Sequence, residues 1–576
     1  MLNDEYEEIY DEKWDSDEDK EEYYVQLVNS LLRDSKRDRQ DIRKQWKVAD
    51  DRLNMPALST PTNPAKTDID TIGQAIEEAI ALKVESLPVP QVESRGPHDE
   101  NFAGMLNQAM EQELTANHFS STCMAGVVYD QMRFSMGVVQ VLWDNSLPGL
   151  FGSKPGRNIV KRIDPRYVHL DPHAEGYLRH EGRYLIIEKP MDISDIRAIF
   201  PDKIVEPEGA YSRSPDDESK SEFTPQSSSG REMRPGYRDR AVLKELWLNS
   251  VNMIKRPKKL EDGSLALDQE GKTVYEVVKK YPNGRLIIIA NKTLLFDGPN
   301  PYDGHGHYPY VFFPEQITNR LYNEGPISKL IRIEDKKNQL AKDAYRNLRV
   351  NLNSPWRVDR HAFDSPKKFN MLTNDPGLVL PTAPGAKVER IPAGDLPPSL
   401  FGFMEYLEGV FDKELGVAGI MRGQLEKGSQ LSADAVNSLQ ASSTARIRFK
   451  ARLLEQSLIH LGHLLQWNIR QFYDTGMAIQ VPIPGTDKQQ ELQWSANAAK
   501  AQYQVLIEAG SGLPGAKESG NNLMRQLFKE GIISRPYCIR GMKLPGAEKL
   551  IKEMDDREKE LLQLGIKSAL KKPGGK

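Results

Sequence analysis

The chain has 576 residues, more than one hydrophobic core can cover, so we expect three or four structural units. Its hydrophobic content of 39% and charged content of 28% are typical of a folded, soluble protein, and a net charge of −4 gives no global attraction to nucleic acid. The two cysteines, Cys123 and Cys538, are far apart and argue against a disulfide scaffold or a zinc site. Without an apolar run of about 18 residues or a signal peptide, the sequence predicts an intracellular, soluble protein with no membrane partner.

The N-terminal residues 1–60 are predicted to form a helical arm. Residues 1–24 hold twelve acidic residues against Lys13 and Lys20, and a segment rich in arginine and lysine follows. This pattern has two interpretations, a solvated helix or an arm that packs on the basic face of a neighbouring subunit. Helical periodicity then continues through 67–86 and 98–131.

The middle of the chain alternates apolar and polar residues with the period of β-strands. Strands are predicted at 137–143, 159–163, 167–170, 184–188, 241–247, 273–279, 285–290, 292–296 and 308–313. A short helix is expected at 195–200, and the aliphatic-poor stretch 205–238 is predicted to be a disordered insertion. Because strands follow strands directly, we expect an α+β fold with mainly antiparallel hairpins.

Motifs that could support catalysis or metal binding are weak in this sequence. His305 and His307 flank a glycine in a turn, and His460 and His463 are three residues apart on a helix, which favours packing over metal binding. The stretch 510–517 resembles a phosphate loop but lacks the required Gly-Lys-Ser/Thr run. We therefore expect no enzymatic activity, no metal and no cofactor.

Two long helices of opposite charge are the most informative feature. The first is predicted over 328–351 and the second over 399–415, each delimited by prolines. The first carries seven basic residues: Lys329, Arg332, Lys336, Lys337, Lys342, Arg346 and Arg349. The second carries four acidic residues: Glu405, Glu408, Asp412 and Glu414. Antiparallel packing of this pair would give complementary contacts within a subunit and, in a ring, between subunits.

The segments around this helix pair differ from it in composition and in predicted secondary structure. Residues 353–398 are rich in proline and predict a small β-rich tip, with strands at 356–359, 378–380 and 387–391. A Gly-rich loop over 416–428 precedes a last long helix that ends near Tyr473. Strands at 478–483 and 503–508 and helices at 517–530 and 546–567 complete the chain.

The order of these parts resembles the portal proteins of tailed double-stranded DNA bacteriophages, with the short-tailed phages closest. The resemblance extends over about residues 65–545, and no single motif is specific without the helix–tip–helix order. The stretches that carry it are Lys161-Arg-Ile-Asp-Pro-Arg-Tyr-Val-His-Leu-Asp-Pro172, Tyr308-Pro-Tyr-Val-Phe-Phe313, Asn323-Glu-Gly-Pro-Ile-Ser-Lys-Leu330, Gly416-Val-Ala-Gly-Ile-Met-Arg-Gly-Gln424 with Ser432-Ala-Asp-Ala435, and Tyr503-Gln-Val-Leu-Ile-Glu-Ala-Gly-Ser511.

The resemblance implies a portal fold that assembles as a ring oligomer, expected to be a dodecamer. Its parts would be a mixed α/β wing (1–327), a two-helix stem (328–352 and 399–416), a small β-rich clip (353–398), a channel loop (417–432), a long helix returning to the wing (433–515) and a C-terminal helical crown with its tail (516–576). Such a ring would lie at one vertex of the virion capsid, after synthesis in the bacterial cytoplasm, and would conduct double-stranded DNA in packaging and ejection. The implied partners are further copies of the chain, the terminase large subunit, head-completion or tail-adaptor proteins, and the major capsid and scaffolding proteins.

Within this scheme we assign candidate residues to the channel wall, the stem and the clip. A conduit must pass DNA without trapping it, so we expect an acidic channel wall with isolated cations: Glu405, Glu408, Asp412, Arg422, Gln424 and Lys427. The basic face of the stem would comprise Lys329, Arg332, Lys336, Lys342, Arg346 and Arg349. The docking surface of the clip would comprise Trp356, Arg357, Arg360, Lys367 and Lys368.

Two other classes of function stay open at this point. One is a diverged DNA-processing enzyme subunit, such as a nuclease or an ATPase, which an ATPase assay would reveal. The other is a non-viral scaffolding or adaptor protein, which electron micrographs without an axial ring would favour.

Overall fold

A computed structural model of the chain divides into two compact units. The first comprises residues 1–45, 79–325 and 446–576, and the second comprises 46–78 and 326–445. The structure describes residues 7–8, 16–54, 70–85, 87–95, 100–150, 155–177, 181–206, 240–249, 253–258, 273–302, 306–318, 320–352, 355–363, 365, 382–391, 397–415, 445–473, 478–482, 489–495, 502–507, 516–542, 550–551, 553–554 and 556–557.

Helices and strands both contribute to this described part of the chain. The helices are α1 (Asp17–Asp38), α2 (Gln40–Asn54), α3 (Thr71–Glu85), α4 (Glu100–Ala116), α5 (Met124–Phe134), α6 (Ile193–Ile199), α7 (Pro326–Leu352), α8 (Pro398–Leu415), α9 (Ala445–Phe472), α10 (Ala516–Lys529) and α11 (Arg535–Gly541). The strands are β1 (Glu7–Glu8), β2 (Gln91–Ser94), β3 (Met136–Asp144), β4 (Arg157–Ile163), β5 (Val168–Leu170), β6 (Tyr184–Asp192), β7 (Arg240–Leu248), β8 (Met253–Pro257), β9 (Tyr275–Lys279), β10 (Arg285–Ala290), β11 (Thr293–Pro299), β12 (Tyr310–Pro314), β13 (Trp356–Val358), β14 (Val388–Arg390), β15 (Ala478–Pro482), β16 (Gln489–Gln493) and β17 (Tyr503–Leu506).

The described strands pair antiparallel throughout, which confirms the α+β prediction. The first unit holds a five-stranded sheet in the order β11-β10-β7-β6-β5 and two three-stranded sheets, β12-β3-β4 and β1-β8-β9. It also holds the strand pairs β15-β16 and β17-β2, and the second unit holds the pair β13-β14.

The five-stranded sheet has a helix on each face because its strands alternate apolar side chains between the two faces. On one face, α1 packs Val25, Val28 and Leu32 against Ile186 and Leu246 of the sheet. On the other face, α6 packs Ile193 and Ile196 against strand residues Ala241, Leu243 and Ala290. This part of the first unit is therefore a three-layer arrangement.

The solvated-arm interpretation of the N-terminal segment is wrong for α1. Tyr24, Val25, Val28 and Leu32 are buried in the core on the chain's own sheet, so the helix belongs to the first unit. Ser16 caps the helix start through a hydrogen bond from the Asp19 amide to its hydroxyl (3.2 Å). The acidic and basic residues visible in the sequence occupy the other faces of an amphipathic helix.

The largest core of the first unit surrounds the long helix α9. Leu458, Leu461, Leu465 and Ile469 are buried among residues of α4, α5 and strands β3, β4 and β12. These residues are three and four positions apart, the spacing of one buried face of a helix.

The single helix predicted over 98–131 is two helices with a break. His118 adopts the left-handed conformation (φ 50°) after α4, and a π-helical turn over Phe119–Cys123 leads into α5. Residues 117–123 contain no proline or glycine, so the sequence carries neither of the strongest signals of a helix break there. Strands β1, β2, β8 and β16 also went unpredicted, and most of the 205–238 insertion lies outside the described residues.

Candidate functional site

The candidate site is the helix pair α7 and α8 with the hairpin that joins them, all within the second unit. Both helices begin with proline, Pro326 and Pro398, where the fixed φ suits a first helical turn and no amide is lost. Helix α7 ends at Leu352, three residues before Pro355. The end of α7 and the start of α8 lead into the same antiparallel hairpin, so these contacting helices run in opposite directions.

The contact between the two helices is mainly apolar. Leu407, Phe411 and Leu415 form the buried face of α8. Lys337 of α7 forms an ion pair with Glu408 (Nζ to Oε1, 3.2 Å). The Lys337 Nζ also lies 5.9 Å from the centroid of the Phe411 ring. Because Glu408 is 61% exposed, this pair is worth about 0–1 kcal/mol, so apolar burial rather than charge complementarity holds the helices together.

Helix α8 has three distinct faces. At about 100° per residue, the acidic residues Glu405, Glu408 and Asp412 lie about 90° from the buried face. Phe403 and Tyr406 lie on the side opposite the acids and stack on each other with centroids 6.1 Å apart. The two rings are 46% and 63% exposed, respectively. The helix thus combines a packed face, a face on which the three acids flank the 59% exposed Phe401, and a face on which Phe403 and Tyr406 stack.

The predicted basic residues of α7 are mostly on its surface. Lys329, Arg332, Lys336, Arg346 and Arg349 are exposed, and Lys342 is half-buried. The second half of α7 also exposes apolar side chains, with Tyr345 43% and Leu348 51% exposed. In a single chain, therefore, this helix presents both charge and apolar surface to solvent.

Glu334, one of three acids on the basic helix, is nearly fully buried and organises the base of the site. Its Oε1 accepts hydrogen bonds from the Thr71 amide (2.7 Å), the Thr71 hydroxyl (2.9 Å) and the Ile72 amide (3.1 Å). Its Oε2 accepts two from the Arg52 guanidinium (2.8 and 3.2 Å). The carboxylate therefore satisfies the free amides at the start of α3 and binds α2 at the same time.

The hairpin β13–β14 forms the tip of the site. Trp356 pairs with Arg390 in the strand register, and the guanidinium carbon of Arg390 lies 4.6 Å from the Trp356 ring centroid. Arg357 and Arg360 are exposed, whereas Trp356 is half-buried by this cation–π contact. The tip therefore presents cations rather than its tryptophan.

Several predicted site residues lie outside the described residues. These are Arg422, Gln424 and Lys427 of the channel loop and Lys367 and Lys368 of the clip. The predicted strand at 378–380 also lies outside them.

The histidines do not form a metal site in the described part of the chain. The rings of His307 and His460 meet edge to face with centroids 5.7 Å apart, and His463 is the third imidazole nearby. Burial, with the neighbouring His307 and His463, lowers the pKa of His460 to about 4. No group of three or more potential metal ligands occurs among the described residues, and none of their helices is long and apolar enough to cross a membrane.

Sequence reasoning missed the role of Glu334 and of the aromatic face of α8. The hydrogen bonds of Glu334 join residues more than 260 positions apart, so no local pattern shows them. The aromatic face did leave a signal. Apolar residues run almost all the way round α8, which is typical of a helix covered on more than one side.

Comparison with known proteins gives one family. The model of the family described as phage P22-like portal protein matches residues 9–561. No curated protein matches the chain.

Proposed function

The chain belongs to the family of phage P22-like portal proteins, and from that premise we propose that it forms a dodecameric ring that conducts double-stranded DNA. Membership of this family implies that the protein is a DNA-packaging portal of the phage virion at a capsid vertex. Its role there is structural rather than enzymatic. The ring, its stoichiometry and the roles of individual residues are our proposals.

The exposed aromatic face of α8 is the observation that best supports a ring. Phe403 and Tyr406 are large apolar side chains stacked on each other at the surface of one chain, and Tyr345 and Leu348 of α7 add to the apolar surface. Removing such surface from water is worth about 25 cal/mol per Å². We propose that α8 of one subunit packs this face against the stem of the next subunit.

The acidic face of α8 is proposed to line the channel. Glu405 and Asp412 lie on the side of the helix opposite Phe403 and Tyr406, so one subunit contact cannot cover both faces. A wall of carboxylates repels phosphates and prevents the tight, counterion-driven binding that would halt DNA. Arg422, Gln424 and Lys427 of the following loop would supply isolated polar contacts to the moving duplex.

The hairpin tip is proposed to dock the partners of DNA packaging. Its exposed cations, Arg357 and Arg360, are suited to acidic surfaces on a terminase large subunit and, after packaging, on tail-adaptor proteins. Lys367 and Lys368 would extend this surface. Capsid and scaffolding proteins would contact the remainder of the ring.

A substitution in the aromatic face tests the ring directly. We expect Phe403→Glu/Tyr406→Glu to shift the purified protein from rings to monomers, because two carboxylates would be buried in the subunit contact. The matched control is Tyr275→Glu/Val277→Glu, which introduces two carboxylates at similarly exposed apolar residues of β9 (56% and 53% exposed) and should leave rings intact. Mass photometry of both variants measures the outcome, and rings formed normally by Phe403→Glu/Tyr406→Glu would refute the proposed interface.

A further inference from the structure

A basic groove on the surface of α1 and the start of α2 has no role in the proposed conduit. The groove encloses about 600 Å³ within the first unit. Its lining is almost entirely polar and basic: Asn29, Leu32, Arg33, Lys36, Arg37, Gln40 and Arg43.

The groove is held in a fixed shape by the sheet beneath it. Tyr24 and Val28 bury a neighbouring side of α1 in the sheet core, and Leu32 lies at the boundary between that core and the groove. At the junction of the helices, the buried Arg39 donates hydrogen bonds to the carbonyls of Val168 (3.0 Å) and Arg166 (2.6 Å). The basic side chains therefore extend from a rigid platform, which reduces the entropy lost when they bind a ligand.

Two arginines of the groove carry unneutralised charge. Arg33 and Arg37 are both exposed, and neither forms an ion pair with any residue that the structure describes. They are one helical turn apart, a spacing at which like charges destabilise a helix by about 0.2–0.5 kcal/mol. Lys36 beside them is partly neutralised by Glu188 (Nζ to Oε1, 3.0 Å).

The acids of the same segment lie on another side of the helix. At about 100° per residue, Asp34 and Asp38 lie about 130° round from the centre of the basic face. The charges are thus segregated into a basic face and an acidic one, instead of alternating as in a solvated helix with internal ion pairs. A segregated basic face is suited to an extended anion.

We propose that this groove binds the phosphate backbone of duplex DNA, as a second DNA contact made by residues other than those of the stem. Within α1, the helical rise from Asn29 to Arg37 amounts to about 12 Å, which matches about three phosphates of one strand at about 3.4 Å of axis each. The guanidinium groups of the arginines and the side-chain amides of Asn29 and Gln40 can donate hydrogen bonds to phosphate oxygens. This inference rests on the proposed function only for the identity of the polyanion.

An acidic peptide is the competing ligand, and the chain contains one in its first 24 residues. Within the described residues, however, Glu7 and Glu8 of that segment pair with Lys255 and Ile254 of β8, so part of the acidic segment is engaged elsewhere. This observation favours DNA over the chain's own acidic residues.

The test is binding of a short, labelled DNA duplex to the full-length protein, followed by fluorescence anisotropy between about 50 and 200 mM salt. We expect Arg33→Glu/Arg37→Glu to weaken binding at least about tenfold and to lower the slope of log affinity against log salt by about 2. Arg33→Lys/Arg37→Lys should keep affinity within about twofold, because lysine preserves the charge that phosphate attracts.

The matched control is Arg197→Glu/Lys292→Glu, which makes the same change in net charge at two exposed positions outside the groove. Equal losses in both double variants, or no loss in the groove variant, would overturn the proposal. So would displacement of the duplex by poly-L-glutamate at equal charge concentration, which would assign the groove to an acidic protein. Electron micrographs of the same preparations distinguish a failure of the groove proposal from a failure of the proposed function. Rings with unchanged DNA binding in the groove variant would refute the groove alone, and a wild-type protein without rings would refute the conduit alone.

Discussion

The Glu334 side chain accepts a hydrogen bond from the Thr71 backbone amide at 2.7 Å, so a residue of α7 caps the first turn of α3. The same carboxylate binds Arg52 of α2. One buried side chain thereby fixes two helices whose sequence connection, residues 55–69, lies outside the described residues.

We predict that Glu334→Gln destabilises the second unit by about 2–3 kcal/mol, because an uncharged amide weakens the hydrogen bonds from the Arg52 guanidinium and the Thr71 and Ile72 amides. Asp335→Asn is the control, since Asp335 also contacts Arg52 (3.1 Å) but is 58% exposed, and it should cost less than about 1 kcal/mol. Melting temperatures of the two variants provide the comparison. Equal shifts would mean that Glu334 has no special role.

Gly325, immediately before α7, allows a close approach to the backbone of α5. A Cβ at this position would lie 2.3 Å from the Met132 carbonyl oxygen and 2.4 Å from that of Arg133. We expect Gly325→Ala to lower stability by more than about 2 kcal/mol, since two backbone segments must move apart. Gly402→Ala on α8, where a Cβ meets nothing within 4 Å, should instead stabilise the chain by up to about 1 kcal/mol. A melting temperature that rises in both variants would contradict this account.

Glu315 binds two lysines and attaches the start of α9 to the first unit. Its carboxylate oxygens lie 2.5 Å from the Nζ atoms of Lys83 and Lys450. Burial raises the pKa of Glu315, but Lys83 and Lys450 outweigh this and hold it below its usual range. We predict that Lys450→Ala speeds amide hydrogen exchange in the first turns of α9, whereas Arg452→Ala, an exposed cation nearby, leaves it unchanged. Faster exchange in both variants would indicate general fraying instead.

The pH dependence of stability should include a contribution from His460. Its pKa in the folded state is about 4, below the value of about 6.5 in an unfolded chain, so the unfolded state binds more protons between these values. Stability is therefore complete above about pH 6.5 and falls as the pH decreases towards 4, by about 2 kcal/mol between pH 7 and pH 5 for this group. His169, whose pKa burial lowers to about 3, adds to the same trend.

In His460→Gln, the melting temperature should fall less steeply between pH 7 and pH 5 than in the wild type. His173→Gln is the control because His173 is 93% exposed in its side chain, and it should leave the slope unchanged. An unaltered slope in His460→Gln would contradict the proposed protonation cost.

The acidic face of α8 should influence DNA transport without affecting assembly. Glu405→Lys removes a proposed channel carboxylate and leaves the Lys337–Glu408 pair untouched, unlike a substitution of Glu408. We expect reduced packaging or ejection of DNA in particles that carry intact rings, because a ring of new cations would retain phosphates. Glu111→Lys, which makes the same charge change at an exposed position on α4, serves as the control. Wild-type DNA throughput in Glu405→Lys would exclude this face as the channel wall.

The parts of the fold that sequence predicted well are those governed by local patterns. Helices α7, α8 and α9 and most strands follow from apolar periodicity and from prolines such as Pro355, which stop a helix. The parts it missed depend on contacts between distant residues. The burial of α1 requires the sheet formed by residues far along the chain, and the capping of Thr71 requires a helix 263 residues away. Charge counts on α7 and α8 predicted complementary contacts, of which Lys337–Glu408 is one, but gave no indication that Leu407, Phe411 and Leu415 form the buried face of α8.

The most direct test of the central claim is electron microscopy of the purified full-length protein, with class averages viewed along the particle axis. We expect closed rings of twelve subunits around an axial channel wide enough for a DNA duplex. Monomers or assemblies without an axial channel would contradict this expectation.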